Sequence, residues 1–493
     1  MSRRSARSSG VVPPVETVAT PPPAPVAITA ATAVTTPARL GDATLVVDPG
    51  AYTIKAGFAP SSPEGQYKCH VMPNCLAKSS RDDKTYIASQ LSTCTDFGEM
   101  QFKRPVQKGY IVNWPTEAAI WEHEFFASNA TLACDPHETN LVLAEAPNAP
   151  TALQRNTDEI VFEHFEFAAA YRTTSTVLNA YNDTRALFND PPHAQSARVQ
   201  PAEHLLLIDT GYSHTTVTPL IRARPIHPAS RRMTFGGKHL SNYLAQLISL
   251  RHFSLIDEPY IVDQIKEDTC FVSDDFARDL DNTWKGAIGD APRNNKDQDT
   301  TIRVDYVLPD YERHHRGFTR PHDASRAARL AKLGLLADAD DDNDQQAGIS
   351  TVREEAFPLA NERFTVPELL FNPTDVGMRE SGIPDTIMQC LETLPTKQLW
   401  QAFLGNIVVV GGSSLIRGFV ERLEAEVRIR VPDDFVVRVR RADDPIKSTW
   451  TGGARLASDR SLIDKVLVTK QDYDEYGAAW VARQYATRRI GDE

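Results

Sequence analysis

The chain has no Cys-x-x-Cys pair, and its six cysteines, Cys69, Cys75, Cys94, Cys134, Cys270 and Cys390, stand apart from any histidine-rich neighbour. That spacing excludes a tetrahedral zinc site. Sparse thiols in 493 residues also fit the reduced, partly buried cysteines of an intracellular protein better than a disulfide framework. No apolar run approaches the roughly 18 to 20 residues that a membrane helix needs, so a soluble protein without membrane contact is expected. Positive charge is not in excess: 53 Lys and Arg stand against 65 Asp and Glu, for a formal net charge of -12. A surface that holds nucleic acid mainly by phosphate neutralisation is therefore disfavoured. The acidic run Asp338-Ala339-Asp340-Asp341-Asp342-Asn343-Asp344 lacks the sixth-position glycine and distal glutamate of an EF-hand loop, and reads as a solvated loop.

What is present is an alternation of short apolar strands and amphipathic helices after residue 41, the pattern of an α/β protein with buried sheets. Strands are expected at Thr44–Asp48, Asn140–Ala144, Leu205–Asp209, Thr215–Leu220 and Ile407–Val410. Helices are expected at Pro115–Phe126, Thr157–Phe165, Gly237–Arg251, Pro259–Glu267, Pro384–Leu391 and Gly418–Val427. Residues 1–41 are rich in Pro, Ala, Thr and Val. Arg3, Arg4 and Arg7 resemble the start of a presequence, but the prolines oppose its amphipathic helix and a disordered tail is expected. Two intervals break the rhythm, the polar stretch 281–300 and the insertion 311–360.

Two strands end alike. Leu45-Val46-Val47 runs into Asp48-Pro49-Gly50-Ala51-Tyr52, and Leu206-Leu207-Ile208 runs into Asp209-Thr210-Gly211-Tyr212-Ser213. A glycine turn exposes backbone N–H groups to anionic oxygens, so a facing pair of such hairpins suggests a phosphate clamp. Each aspartate alone could simply cap its turn. Both together could hold a hydrated Mg²⁺ through its waters, since magnesium uses few protein ligands. Each turn also carries a tyrosine near its tip, where close approach to phosphate favours something small. Further along, Gly411-Gly412-Ser413 follows a buried strand and allows close approach of backbone to a purine or ribose. Lys266 and Glu267, at a helix end, could present a cation and a carboxylate to a nucleotide, although such neighbours are usually only polar surface.

These segments, with Gly109-Tyr110-Ile111-Val112-Asn113-Trp114, Ala144-Glu145-Ala146-Pro147, Gly382-Ile383-Pro384 and Trp450-Thr451-Gly452-Gly453, resemble the actin superfamily in order and spacing over nearly everything beyond the tail. The resemblance implies an actin-like (ribonuclease H-like) α/β fold: duplicated βαβ lobes around a nucleotide cleft, in four subdomains. One lobe would comprise 42–184 and 447–493, and the other 185–446. The implied ligand is ATP or ADP with Mg, held by Asp48, Gly50, Lys55, Asp209, Gly211, Lys266, Glu267, Gly411, Gly412 and Ser413. Gly50-Ala51-Tyr52, Pro73-Asn74-Cys75-Leu76-Ala77, Gly211-Tyr212-Ser213 and Val468-Thr469-Lys470-Gln471-Asp472-Tyr473 are most similar to the sixth class of nuclear actin-related proteins. That resemblance implies a nuclear subunit of a histone-variant exchange remodeller, clamped to the motor subunit and a small zinc-finger subunit, with histones or the nucleosome as indirect partners.

Departures from actins change the expected chemistry. Ala51 and Tyr52 replace a serine and a glycine, Tyr212 replaces an aspartate, Thr216 lies near a histidine position, and Ser175 aligns with the glutamine that helps position the attacking water. Loss of water-positioning or acid–base help costs roughly 10²–10⁴-fold in rate, so no enzymatic turnover is expected. Ser79-Ser80-Arg81-Asp82-Asp83-Lys84 is short and charged where actins insert an apolar loop into a neighbour, so no filament is expected. The aromatic and basic stretch Tyr311–Phe318 is a candidate partner contact. An active ATPase or small-molecule kinase, or a cytoskeletal actin relative, is the alternative.

Overall fold

Leu45, Val46 and Val47 are all fully buried and alternate between the two faces of one strand, β1 (Ala43–Pro49). Leu45 and Val47 pack with Ile54, Trp121 and Phe162 on one side, whereas Val46 packs with Val142, Leu178 and Trp450 on the other. A strand that is apolar on both faces belongs inside a covered sheet. The computed structural model describes residues 40–81, 83–189, 199–283, 302–311, 313–323 and 355–487. The tail up to residue 39, the polar stretch from 284 to 301 and the acidic run 338–344 lie outside them.

In the first sheet β1 turns back on β2 (Thr53–Phe58), which carries β3 (His70–Pro73) at the edge. On its other side β1 pairs in parallel with β4 (Thr139–Glu145), then come β5 (Ala169–Thr174) and the short strand Val468–Thr469. The second sheet repeats the arrangement. Its central strand, β6 (His204–Thr210), turns back on β7 (Thr215–Ile221) and pairs in parallel with β8 (Ile407–Val410). Asp48 and Asp209 are each the next-to-last residue of their strand, opposite Lys55 and Thr216 respectively.

Period-2 burial explains how the sheets join. Leu206 and Ile208 enter the outer core of the second sheet, while Leu205, Leu207, Val408 and Val410 face the same cluster as Val46, Val142 and Ala144 of the first. Between them lie helices α1 (Ser175–Asn179) and, later in the chain, Ser448–Ser458. Gly452 lets these helices touch, since a Cβ there would lie 2.0 Å from the Leu178 carbonyl oxygen. Trp450 fixes the contact by donating its indole N–H to Val46 O at 3.1 Å.

All five expected strands form, four of them longer by one residue at one or both ends. Three helices differ. The segment expected at Thr157–Phe165 begins at Thr151 behind Pro150 and finishes in a π-helical turn, Ile160–His164, because its exposed first half is polar and only the second half carries apolar spacing. The helix expected at Pro115–Phe126 stops its α-geometry at Trp121 and continues as a π-turn, and Gly418 caps the helix Phe419–Arg430 rather than opening it. The fold also starts before residue 42: Gly41 donates its N–H to Asn140 Oδ1 at 2.8 Å. Within the insertion, Phe318–Pro321 and Ala356–Leu359 are strands that flank Val304–Val307 in a small antiparallel sheet. No described helix is long and apolar enough to cross a membrane.

Candidate functional site

The two strand-to-strand turns face each other across a cavity of about 760 Å³, and all ten sequence-predicted binding residues line it. On the first hairpin Lys55 Nζ sits 3.4 Å from Asp48 Oδ2. Gly50 is required there, because a Cβ would lie 2.8 Å from both Lys55 Nζ and the Thr53 carbonyl oxygen. On the second hairpin Asp209 lines the cavity together with Ser175. Burial, then repulsion from Asp48, pushes the Asp209 carboxyl up to about 6 against the opposing pull of Lys55 and Ser175. Two carboxylates thus share one lysine, a charge balance that a divalent cation would relieve. Among the described residues no group of three or more His, Cys, Asp or Glu could ligate a metal directly. A cation here would rest on Asp48 and Asp209 and fill its shell with water and phosphate oxygens.

The turn after the third strand is set by Gly411 and Gly412. Gly411 has φ +91 and ψ 158, a region that is essentially glycine-only, and its absent Cβ leaves Thr210 O undisturbed. Gly412 faces open space, and Leu415, Ile416, Pro445 and Ile446 line the same cavity. Ser413 is buried beneath this turn.

Lys266 and Glu267 stand on α3 (Pro259–Thr269), beside α2 (Gly237–Arg251). The Lys266 ammonium is less free than its sequence position implied. It donates to Asp263 Oδ1 at 2.8 Å and to Ser241 Oγ at 2.7 Å, and Ser241 itself donates to Asp263. Glu267 is pushed up by burial, with Lys266 opposing. Sequence reasoning missed Asp263 and Ser241; the three-residue spacing of Asp263 and Lys266 on one helix was the available signal.

The tyrosines meet in the mouth of the clamp. Tyr52 and Tyr212 have ring centroids 4.8 Å apart at 40°. The Arg104 guanidinium lies 4.6 Å from the Tyr52 ring centre and 5.5 Å from that of Tyr212, and donates to Tyr52 O at 3.1 Å. Farther out, Phe97 from the first lobe stacks on Tyr260 from α3 at 4.0 Å, and Glu99 N–H donates to Glu258 at 3.2 Å. Tyr311 packs into the same cluster, His315 Nδ1 lies 3.2 Å from Thr95 O, and Arg316 pairs with Asp268 at 2.8 Å. The stretch read as a candidate partner contact therefore spends Tyr311, His315 and Arg316 on contacts within its own chain.

At the base of the second turn, His214 is nearly buried against Gly109, with no partner for Nδ1. Burial and the nearby Arg232 push its imidazole down to about 3. Because the folded value lies below the ordinary one of about 6.5, His214 costs nothing above that pH, and stability drops by up to about 1.4 kcal/mol per pH unit as acid is added below it. His214→Asn is expected to flatten the fall in the urea midpoint between pH 7 and 5. An unchanged slope would remove His214 from this role.

Paired hairpins ending in aspartate, a glycine-rich turn on a third strand and a cleft between duplicated sheets define the actin fold, generally a nucleotide-binding one. The family model described as Actin matches residues 40–486, and the chain belongs to that family. "Actin-related protein 6" of Neurospora crassa is 48% identical over 443 residues, which span 90% of this chain and 94% of the relative. "Actin-like protein arp6" of Aspergillus fumigatus is 45% identical over 460 residues, 91% and 95% of the two chains. "Actin-related protein 6" of Drosophila melanogaster is 34% identical over 442 residues, 89% and 98%.

Proposed function

We propose that this actin-family chain holds ATP or ADP with magnesium as a structural ligand, with little or no hydrolysis, and acts as a non-polymerising scaffold in a nuclear histone-variant exchange remodelling complex. The motor subunit and a small zinc-finger subunit are its partners in that reading. The observation that carries the non-hydrolysing part is the Tyr52–Tyr212 contact at the clamp, where aromatic rings occupy ground that an attacking water and its anchors need. Ser175 adds to it, since a short hydroxyl stands where the resemblance places the glutamine that helps position the attacking water in actins. The nuclear complex follows from the resemblance carried by Gly50-Ala51-Tyr52, Gly211-Tyr212-Ser213 and Val468–Tyr473. Relatives named actin-related protein 6 support the class of actin-related protein from which that reading starts.

A ligand that binds only the folded state adds about 2.7 kcal/mol at a hundredfold excess over Kd, enough to account for keeping the cleft. Protein purified in native buffer and then denatured is expected to release adenine nucleotide on ion exchange, while single-turnover assays detect no phosphate release on the hour scale. Turnover as fast as that of a polymerised actin would overturn the structural-ligand reading. Magnesium affinity is expected to rise as pH climbs through about 6, where Asp209 ionises. Sedimentation in magnesium and salt tests polymer formation, and subunits that co-purify from cell extract test the complex.

A further inference from the structure

The rim of the cleft is tied together by more than the paired tyrosines. After β3 the chain builds a small antiparallel sheet from Leu76–Ser79, Thr85–Ile87 and Met100–Lys103. Cys75, Ala77, Leu91, Phe97 and Met100 form a buried cluster there, and two rings from the far side of the cleft pack against it, Tyr260 and Tyr311. On α3 the residues next to Tyr260, namely Ile261, Val262 and Ile265, turn instead into the core of the second sheet. The helix therefore cannot follow the small sheet without leaving that core. Phe97 stacks on Tyr260 at 4.0 Å and 9°, and the Phe102 ring lies 6.2 Å from the same ring. The row continues inward, because Arg104 lies 5.8 Å from the Phe102 ring centre and also over Tyr52 and Tyr212.

Tyr311 is aimed into this cluster by a strained turn. Its φ is +56, a left-handed conformation that a bulky side chain seldom adopts and that persists only where the surroundings enforce it. Asp310 Oδ1 accepts the N–H groups of Arg313 and His314 at 2.8 Å, and Tyr311 N–H donates to His314 O at 3.2 Å, which closes the turn. Each contact across the rim runs between groups of the chain itself. Opening the cleft exposes an apolar cluster and parts stacked rings whatever the cavity holds. We propose that Tyr260 and Tyr311, seated on the small sheet, form a latch that occludes the nucleotide site, so that ligand enters and leaves only through an unlatched state. The inference rests on the nucleotide reading above and adds the regulation of that site.

A latch slows entry and exit alike, whereas loss of a binding contact raises the release rate alone. The test is stopped-flow exchange on full-length chain stripped with a chelator, loaded with fluorescent etheno-ADP and magnesium, and chased with ADP. Tyr260→Ala and Tyr311→Ala are each expected to speed both association and release about tenfold while Kd stays within about threefold. Tyr260→Phe, which keeps the stack, is expected to stay within about twofold of wild type in both rates. Hydrogen exchange of the stripped wild type is expected to find segments 97–103 and 258–264 as protected as with ADP bound. Rates unmoved by either alanine overturn the latch and leave the nucleotide reading standing, as does protection that appears only when ADP is added. Faster release with unchanged association makes the rings ligand contacts and overturns the latch as well. Failure of the stripped wild type to bind either nucleotide overturns the nucleotide reading itself, and occlusion with it. If Tyr260→Ala melts early, Tyr311→Ala, on a turn outside both large sheets, is read by the same two rates.

Discussion

Arg172→Met is expected to lower the unfolding free energy at pH 8 by about 3–5 kcal/mol, the cost of removing one partner from a buried ion pair. Arg172 stands on β5 and is almost wholly buried. Its guanidinium forks onto Asp158 at 2.8 and 2.9 Å, and its remaining nitrogen reaches Glu145 at 2.8 Å. The Tyr485 ring lies 5.2 Å from it. Burial pushes both carboxyls up even with the arginine in place, so without it they become two unpaired acids in the interior. Their folded pKa values then rise further above the unfolded ones. The deficit against wild type is full above those raised values and shrinks as pH falls through them, because the folded state then takes up protons. Urea melts at pH 8 and pH 5 read both parts. The triple variant Arg172→Met, Asp158→Asn, Glu145→Gln should recover most of the loss at pH 8. A single variant within about 1 kcal/mol of wild type at pH 8 would sink this account.

That triad was invisible in the sequence, and the reason is instructive. Asp158 and Arg172 lie 14 positions apart on different elements, and neither carries a motif. The clamp was legible because its determinants are local: Asp48 and Asp209 each follow three apolar residues and precede a glycine turn, so strand, hairpin and carboxylate are written in one short window. Gly411 was legible for the same reason. The partners of Lys266 were not, since choosing Asp263 and Ser241 over a ligand depends on how α3 packs on α2. The bridging of the outer subdomains by Phe97 and Tyr260 is likewise tertiary, between residues 163 positions apart by their numbers. Tyr52 and Tyr212 fall between these cases. Their oddness beside a phosphate turn was readable, whereas their mutual contact and the arginine over it were not.

Gly411→Val is expected to weaken nucleotide binding about 100-fold, while Gly412→Ala, one residue on, leaves it within about threefold. The two glycines look equivalent in the sequence and differ in the fold. Gly411 has φ +91, and its Cβ would lie 2.3 Å from Thr210 O and 3.0 Å from Gly211 N. Strain in that backbone region costs about 1–3 kcal/mol, and overpacking adds about 1–3 kcal/mol. The atoms that must yield are backbone of β6, whose next residue back is Asp209. Moving Thr210 therefore displaces the carboxylate that stands opposite Asp48 and loosens the turn carrying Tyr212. A methyl group at Gly412 would meet nothing within 4 Å, so alanine there enters open space. Nucleotide content after purification, with calorimetric affinities for ADP and ATP, separates the two substitutions. Equal losses at both positions would mean that the turn contributes through flexibility alone, and that the close approach of β8 to β6 does not set the cleft.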